Sequence, residues 1–243
     1  MISIVLPAFN EERGIETLLK RIDLTLKEYR HEYKIFFVDD GSMDKTLSVV
    51  KGLQQILPIE ILSHEKNRGL GEALKTGIFH AVSAAKDEDI IVTMDADNTH
   101  VPGLIMRLHR NIWEGCDVVI ASRYVRNARL IGVPLLRRVL SRGAGILFRV
   151  FFPIPGVRDY TCGYRAYRAS LLKEAFAQYG DELVSQSGFA CSVDILLKLR
   201  LFHPIMSEVP LILRYDRKKE ASKMNIGRTI RDTLQLFVRR RFG

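Results

Sequence analysis

Three polar segments, each following a short apolar run, carry the residues best suited to chemistry. They are Pro7-Ala8-Phe9-Asn10-Glu11-Glu12, Asp39-Asp40-Gly41-Ser42 and Asp95-Ala96-Asp97. Residues two apart in an extended segment point to the same side, so the carboxylates of Asp95 and Asp97 can face one hard cation. Mg²⁺ or Mn²⁺ is the expected occupant. The alternative is that these aspartates, like Asp39 and Asp40, only begin turns.

The elements around these segments predict an α/β fold with a mostly parallel sheet flanked by helices. Apolar runs at residues 2–8, 34–38, 59–63, 89–94 and 117–121 are typical of buried strands. Amphipathic patterns at residues 11–28, 44–55, 69–84 and 102–111 predict crossover helices. Because carboxyl ends of parallel strands share one edge, we expect the three polar segments to converge on one crevice. A cation there would neutralise the diphosphate leaving group of a nucleotide sugar.

The remaining chain predicts helices over residues 134–150, 189–201 and 226–241 and a strand over residues 205–213. We expect a single domain over residues 1–213, with residues 1–121 as its nucleotide-sugar half and residues 122–213 as its acceptor half. Residues 214–243 are predicted to form a basic loop and an amphipathic tail helix.

Charge is unevenly distributed and predicts an anionic partner for the later part of the chain. The net charge is +9, although residues 1–100 hold 12 Lys or Arg against 17 Asp or Glu. Residues 121–157 contain seven arginines with no lysine and no acidic residue. Arginine binds phosphate in a bidentate manner, and arginines without counter-charges repel one another unless an anion binds. A solvated surface is the alternative.

The tail predicts contact with a membrane surface. It has ten Lys or Arg against three acidic residues, and its apolar side chains recur at helical spacing at Ile226, Ile230, Leu234, Phe237 and Val238. Such a helix can lie on an anionic membrane, or its apolar stripe can pack on the core. The longest apolar stretch, residues 143–157, is broken by Arg149 and two prolines, too short to span a bilayer.

The location of the protein is predicted from two further features. The chain has no basic leader, and its three cysteines lack the spacing of a disulfide framework or zinc site. We therefore expect a cytoplasmic protein, peripheral on the cytoplasmic face of the membrane or bound to a membrane subunit.

The order of the motifs resembles the inverting family-two glycosyltransferases, whose GT-A fold is Rossmann-like, and most closely the dolichol- and polyprenyl-phosphate sugar synthases. A fourth motif, Asn67-x-Gly69-x-Gly71-x-Ala73, lies between the second and third segments. Its glycines allow close approach of the backbone to a donor phosphate or base. Later matches are Ser122-Arg123-Tyr124, Arg137-Arg138-x-x-Ser141-Arg142, Asp159-Tyr160-Thr161-Cys162-Gly163-Tyr164-Arg165 and Ser222-Lys223. The resemblance spans nearly the whole chain. One departure is that Asn98-Thr99-His100 follows Asp97 where relatives read Leu-Gln-His, so Thr99, Asn98 or water would complete the metal shell.

The resemblance implies roles for individual residues. The donor pocket would contain Pro7, Phe9, Glu11, Asp40, Asn67, Gly69, Asp95, Ala96 and Lys223, with Asp40 near the ribose or base. The catalytic residues would be Asp97, Arg123, Arg137, Ser141, Asp194 and Arg217. Asp194 matches the place of a carboxylate base, although its helical, apolar surroundings also permit a structural role. Asp159 matches an acidic position near the acceptor, and the alternative is that it pairs with Arg165.

These features predict transfer of a GDP- or UDP-linked hexose to a polyprenyl or dolichyl phosphate, with inversion and a divalent ion. A phosphate acceptor is already an anion and needs no strong base. A soluble or glycan hydroxyl acceptor would need one, and Asp194 is then the expected base. A sugar nucleotidyltransferase is the second alternative, but residues 9–12 lack its glycine-rich loop. Nucleic acid is not expected as a partner, because the basic and aromatic residues do not follow a nucleic-acid-binding pattern.

Overall fold

The structure is a computed structural model that describes residues 1–186, 188, 190–220 and 226–242. In these residues the strands are β1 (Ile2–Ala8), β2 (Tyr33–Asp39), β3 (Ile59–Ser63), β4 (Ile90–Thr93), β5 (Val118–Ser122), β6 (Arg129–Ile131), β7 (Arg165–Arg168), β8 (Met206–Pro210) and β9 (Ile212–Arg214). The α-helices are α1 (Ile15–Glu28), α2 (Thr46–Leu53), α3 (Leu70–Ala84), α4 (Leu104–Trp113), α5 (Leu135–Phe151), α6 (Ala169–Tyr179), α7 (Cys191–Leu199) and α8 (Ile226–Phe242).

The main sheet has seven strands in the order β3-β2-β1-β4-β7-β5-β8. Its neighbours are parallel except at β7, which runs antiparallel to both β4 and β5. The predicted mostly parallel sheet flanked by helices is therefore confirmed. In the register of the parallel strands, Val5 lies opposite both Phe36 and Thr93. The carboxyl ends of β1, β2 and β4 consequently meet at one edge.

Burial on both faces explains why the central strands read as continuous apolar runs. Strand β1 is buried along almost its whole length, and α1 buries Ile15, Leu18, Leu19, Ile22 and Leu26 at helical spacing. Helix α3 approaches the sheet closely at Gly77, where an added Cβ would lie 2.4 Å from Cγ1 of Val5. Any side chain at this position would push α3 away from the edge where the polar segments meet.

The segment predicted as one strand over residues 205–213 is two strands in different sheets. Strand β8 pairs with β5, whereas β9 pairs with β6 in a separate two-stranded sheet. The change occurs at Leu211, whose N–H donates to Ser122 O over 2.9 Å and whose carbonyl accepts from Arg129 N over 2.8 Å. Pro210, which has no N–H, ends the first pairing just before this point. The chain thereby crosses from the sheet to the region above its carboxyl edge.

The tail helix α8 packs on the domain with one edge of its apolar stripe. Leu236 is buried, and the Phe237 ring contacts those of Phe148, Phe151 and Phe152 with centroids 5.0 to 6.2 Å apart. The rest of the stripe is exposed at Ile230, Leu234 and Val238. Core packing therefore accounts for part of the apolar pattern of the tail, and an exposed apolar strip remains. None of the helices in the described residues has the length and apolar character of a membrane span.

Candidate active site

The turn after β2 organises one side of the crevice through Asp40. Its carboxylate accepts hydrogen bonds from the backbone N–H groups of Arg68 and Gly69, over 2.9 and 2.8 Å, and lies 2.7 Å from Nδ1 of His64. Gly69 has φ +92°, a conformation that favours glycine. The Asp40 carboxylate therefore holds the loop that begins the 67–73 motif. Its predicted contact with the nucleoside stays a prediction.

The loop after β1 is tied to the loop after β2. Asn10 has φ +52°; its N–H donates to Ser42 Oγ over 2.9 Å, and its amide oxygen accepts from Met43 N over 2.8 Å. The N–H of Glu11 donates to Thr46 Oγ1 over 2.7 Å, and Glu11 is buried. Pro7, Phe9 and Glu11 are thus set beside the Asp40 loop, as the convergence of strand ends predicted.

The Asp95-Ala96-Asp97 segment leaves β4 beside these loops. Oδ1 of Asp97 accepts from the N–H and the hydroxyl of Thr99, over 3.1 and 2.7 Å, and Oδ2 contacts the Lys218 ammonium. The Asp97 side chain is only 14% exposed and that of Asp95 is 42% exposed. Burial opposes ionisation of Asp97, but Lys218, His100 and Thr99 outweigh it and hold the pKa of its carboxyl below the ordinary value.

The residues after Asp97 orient the pair. The N–H of Asp95 donates to Nδ1 of His100 over 3.1 Å, and Nε2 of His100 lies 3.8 Å from Oδ2 of Asp95. Asn98 is buried, and its amide oxygen accepts from Arg21 over 3.0 Å. The Asn98 oxygen therefore turns toward α1, and Thr99 supports Asp97.

These residues fit a divalent cation. No cluster of three or more His, Cys, Asp or Glu side chains suited to a metal occurs in the residues that the structure describes. Mg²⁺ nevertheless needs only one or two carboxylates together with waters and substrate phosphate. The contact between Asp97 and a lysine ammonium also indicates that this carboxylate attracts positive charge. Asp95 and Asp97 are the residues that would hold the ion.

A buried ion pair lies on the other side of the crevice. Arg123 donates from Nε and Nη2 to the two oxygens of Asp159 over 2.8 and 2.6 Å, and its backbone N–H donates to the same carboxylate over 2.9 Å. Asp159 is fully buried, whereas the Arg123 side chain is 18% exposed. Burial opposes ionisation of Asp159, but Arg123 outweighs it and keeps the pKa of the carboxyl low.

The structure corrects the pairing considered for Asp159 and Arg165. The Asp159 carboxylate accepts hydrogen bonds from Arg123 and from the backbone N–H groups of Thr161 and Cys162. The buried Arg165 instead donates to the carbonyl oxygens of Ser192 and Tyr160 over 2.5 and 2.7 Å. The reason is geometric: Arg165 begins β7 and lies inside the sheet, whereas Arg123 directly follows β5 and faces the loop that contains Asp159.

Three hydroxyl groups extend the Arg123 site. Nη2 of Arg123 donates to Thr161 Oγ1 over 2.5 Å, Thr161 and Ser141 hydroxyls are 3.1 Å apart, and Tyr124 OH donates to Ser141 Oγ over 3.1 Å. We call Arg123, Tyr124, Ser141 and Thr161 the arginine–hydroxyl cluster. Hydroxyl and guanidinium donors on one surface suit a phosphate. The sequence motifs predicted roles for Arg123 and Ser141 but none for Tyr124 or Thr161, although Tyr124 directly follows Arg123 and Thr161 lies two residues after Asp159.

Gly163 connects the carboxylate pair to the arginine–hydroxyl cluster. Its carbonyl accepts from Thr93 Oγ1 over 2.7 Å, and an added Cβ would lie 3.9 Å from Oδ1 of Asp95. The loop from Asp159 to Gly163 therefore runs from Arg123 directly to the carboxylate pair. The carboxylate pair and the arginine–hydroxyl cluster therefore lie next to each other.

Residues 214–220 contain one of the predicted cations, Arg217, and lie beside Asp97 through Lys218. The 3-10 turn Tyr215–Arg217 precedes Lys218, and the Tyr215 ring centroid is 5.5 Å from the guanidinium carbon of Arg137. Arg217 therefore lies in a segment that contacts both Arg137 and Asp97. Lys218 was missed by sequence analysis, because one lysine in a basic tail carries no distinguishing pattern. Ser222 and Lys223 lie outside the described residues.

Asp194 lies in a different environment, on α7. Its carboxylate is fully buried and contacts Nζ of Lys198 over 2.8 Å, Nη2 of Arg240 over 2.6 Å and the Ser185 hydroxyl over 2.7 Å. Burial opposes its ionisation, but Lys198 and Arg240 hold the pKa of the carboxyl below its ordinary value. Since Arg240 belongs to α8, its ion pair with Asp194 connects the tail helix to the rest of the domain. This arrangement favours the structural role over that of a base.

The chain is similar to known proteins along most of its length. Residues 3–176 match the family model described as Glycosyl transferase family 2. A dolichol-phosphate mannosyltransferase of Pyrococcus furiosus is 31% identical over 239 residues, which cover 98% of this chain and 63% of that protein. A polyprenol monophosphomannose synthase of Mycolicibacterium smegmatis is 28% identical, over 95% of this chain and 83% of that protein.

Solved structures show the same fold. A glucosyl-3-phosphoglycerate synthase of Mycobacterium tuberculosis, in complex with Mn²⁺, UDP and phosphoglyceric acid, superposes with a TM-score of 0.65 at 20% identity, covering 98% of this chain and 76% of that one. This similarity confirms the expected GT-A fold. Since the family model matches most of the chain, the protein belongs to glycosyl transferase family 2.

Proposed function

We propose that this chain transfers a hexose from a GDP- or UDP-linked donor to a polyprenyl or dolichyl phosphate, with inversion and with Mg²⁺ or Mn²⁺. The observation that carries the proposal is the carboxylate pair beside the arginine–hydroxyl cluster, joined by the Asp159–Gly163 loop. Adjacent sites of opposite charge preference fit a reaction whose two substrates both carry phosphate. The names of the Pyrococcus and Mycolicibacterium relatives support a polyprenyl phosphate as the acceptor.

The proposed chemistry relies on positioning and charge. Asp95 and Asp97 would hold the divalent ion, whose charge stabilises the departing nucleoside diphosphate. Arg123, fixed by Asp159, binds the acceptor phosphate together with Ser141. Because the acceptor phosphate is already ionised, its oxygen bonds to the anomeric carbon as the diphosphate leaves, and no proton has to be removed. Direct displacement of this kind inverts the anomeric carbon.

The outer surfaces of α5 and α8 support a membrane-bound acceptor. Helix α5 exposes Leu135, Leu136, Val139 and Val150 beside the exposed Arg138, Arg142 and Arg149. Helix α8 adds the exposed Ile230, Leu234 and Val238. Apolar and basic side chains on one helix suit the boundary of an anionic membrane. We propose that the chain is peripheral on the cytoplasmic face, with Arg137 and Ser141 of α5 near the lipid phosphate.

The proposal is tested by offering GDP- and UDP-hexoses with Mg²⁺ or Mn²⁺ and polyprenyl phosphate in anionic vesicles. We expect glycosyl lipid and released nucleoside diphosphate in equal amounts, detected by mass spectrometry, and none after chelation of the metal. Matched reactions contain polyprenol without phosphate, or a soluble sugar acceptor. A product formed equally well from these hydroxyl compounds would contradict the phosphate acceptor.

Replacing Asp194 by asparagine separates the phosphate acceptor from the hydroxyl alternative. Loss of a general base lowers transfer by about 10²- to 10⁴-fold. We expect Asp194→Asn instead to leave kcat for polyprenyl phosphate within roughly threefold per folded molecule, because no base is required. A loss of 10²-fold or more in the variant, with its fold intact by circular dichroism, would favour a base role for Asp194.

The effect of Asp194→Asn on the free energy of unfolding is expected to depend on pH. The pKa of Asp194 is lower in the folded protein than its ordinary value of 3.8. The ionised carboxylate therefore stabilises the fold fully at pH values above 3.8, and this contribution is lost as the pH falls through the lower pKa of the folded state. The wild type should therefore be more stable than Asp194→Asn in urea at pH 7. The difference should shrink as the solution is acidified below pH 3.8. A difference that does not depend on pH would contradict this assignment.

A further inference from the structure

Lys218 occupies a specific position on Asp97. Its ammonium contacts Oδ2, while Oδ1 is already held by the N–H and hydroxyl of Thr99. The Lys218 and Asp97 side chains are only 12% and 14% exposed. This is therefore a largely enclosed ion pair, which water and salt screen less than a surface pair.

Two cations cannot share Oδ2 of Asp97 without cost. An ammonium and a divalent ion on one carboxylate oxygen would be within a few ångströms of each other, where like charges repel strongly at low dielectric. The remaining oxygen, Oδ1, faces Thr99. A divalent ion that uses Asp97 must consequently displace Lys218 or bind less tightly because of it.

Lys218 is also connected to the acceptor side. It follows the turn Tyr215–Arg217, and the Tyr215 ring lies between two cations, 5.5 Å from the guanidinium carbon of Arg137 and 5.9 Å from the Lys218 ammonium. The backbone of the same segment lies close to Gly132, where an added Cβ would be 3.0 Å from the backbone nitrogen of Asp216. Movement of Lys218 would therefore also change the contact between Tyr215 and Arg137.

We infer that Lys218 is an internal competitor of the divalent ion at Asp97, and that binding of the ion releases Lys218 together with residues 215–220. The inference rests on the proposed metal-dependent function and deepens it. The ion and the basic segment would respond to each other, so the crevice opens at Tyr215 and Arg137 when the cation site is filled. Lys218 is then free to meet the phosphate groups of the donor.

The inference is tested by the affinity of the chelator-treated full chain for Mn²⁺, measured by electron paramagnetic resonance without nucleotide. Lys218→Met keeps the length of the side chain and removes the competing charge. We expect it to bind Mn²⁺ about 5- to 30-fold more tightly than the wild type, which corresponds to about 1–2 kcal/mol. Lys219→Met is the matched control, because Lys219 is the exposed neighbour, and it should bind Mn²⁺ like the wild type.

A second measurement follows the segment itself. Trypsin cleavage after Lys218 should become faster in the wild type when Mn²⁺ is added, and should be fast without Mn²⁺ in Asp97→Asn. Unchanged or weaker Mn²⁺ binding by Lys218→Met would overturn the inference and leave the proposed function standing. Equal Mn²⁺ binding by wild type and Asp97→Asn would overturn the inference as well, and the glycosyl-lipid assay would then decide the proposed function separately.

Discussion

Replacing Asp97 by asparagine is expected to lower kcat/KM for sugar transfer by on the order of 10² to 10³ while the protein stays folded. The amide has the size of the carboxylate but removes one of the two negative charges that we propose hold the divalent ion. It also removes the partner of Lys218. The loss is measured by release of nucleoside diphosphate and by formation of glycosyl lipid under saturating Mg²⁺.

Asp87→Asn provides the control for Asp97→Asn. Asp87 pairs with Lys173 on the surface, with its side chain 75% exposed, so this substitution changes the same charge far from the crevice. It should retain wild-type activity. Full activity of Asp97→Asn would contradict the assignment of this carboxylate to the metal, and with it the proposed mechanism.

Replacing Asp159 by asparagine is expected to have the largest effect on stability. It leaves Arg123 with no ionised partner in a site where Asp159 is fully buried. Removing one partner of a buried pair costs about 3–5 kcal/mol in the free energy of unfolding. Urea unfolding at pH 7 measures the loss. Because Asp159 also fixes the Arg123 guanidinium, the KM for lipid phosphate should rise in the fraction that remains folded.

The matched control for Asp159→Asn is Asp181→Asn. Asp181 pairs with Lys75 but is 84% exposed, and its replacement should change the free energy of unfolding by less than about 0.5 kcal/mol. Equal stabilities of the Asp159 and Asp181 variants would show that Arg123 and Asp159 do not form a buried pair in solution.

Much of the structure of residues 1–121 could be predicted from the sequence, because each strand there has a local apolar pattern. Strands β1 to β5 are continuous apolar runs, and their predicted bounds differ from the observed ones by about one residue. The convergence of Asp40 and Asp97 follows from parallel pairing alone. Helix α1 begins four residues later than predicted, at Ile15, because the N–H groups of Gly14 and Ile15 close a turn on the carbonyl of Glu11.

The structure of residues 122–213 was less predictable, because contacts between residues far apart in the sequence determine it. Strand β7 has four residues with arginine at both ends, a composition that does not indicate a central strand. Arg165 is tolerated there because backbone carbonyls of Ser192 and Tyr160 accept its N–H groups. Neither β7 nor α6 was predicted, and the pairing of Arg123 with Asp159 depends on residues 36 positions apart. Spacing within one segment cannot specify such a contact.

The antiparallel strand β7 has a consequence for biosynthesis. It lies between β4 and β5, yet the ribosome makes it after both, and its approach to β4 joins residues 70 positions apart at Thr93 and Gly163. Until Arg168 has been made, the nascent chain presents the open edge of β4, which can pair with other chains. Closing so large a loop is slow. Cutting the polypeptide after residue 121 would therefore yield two aggregation-prone fragments. Each fragment would contain only some of the strands, and the central part of the sheet would form only when both are present.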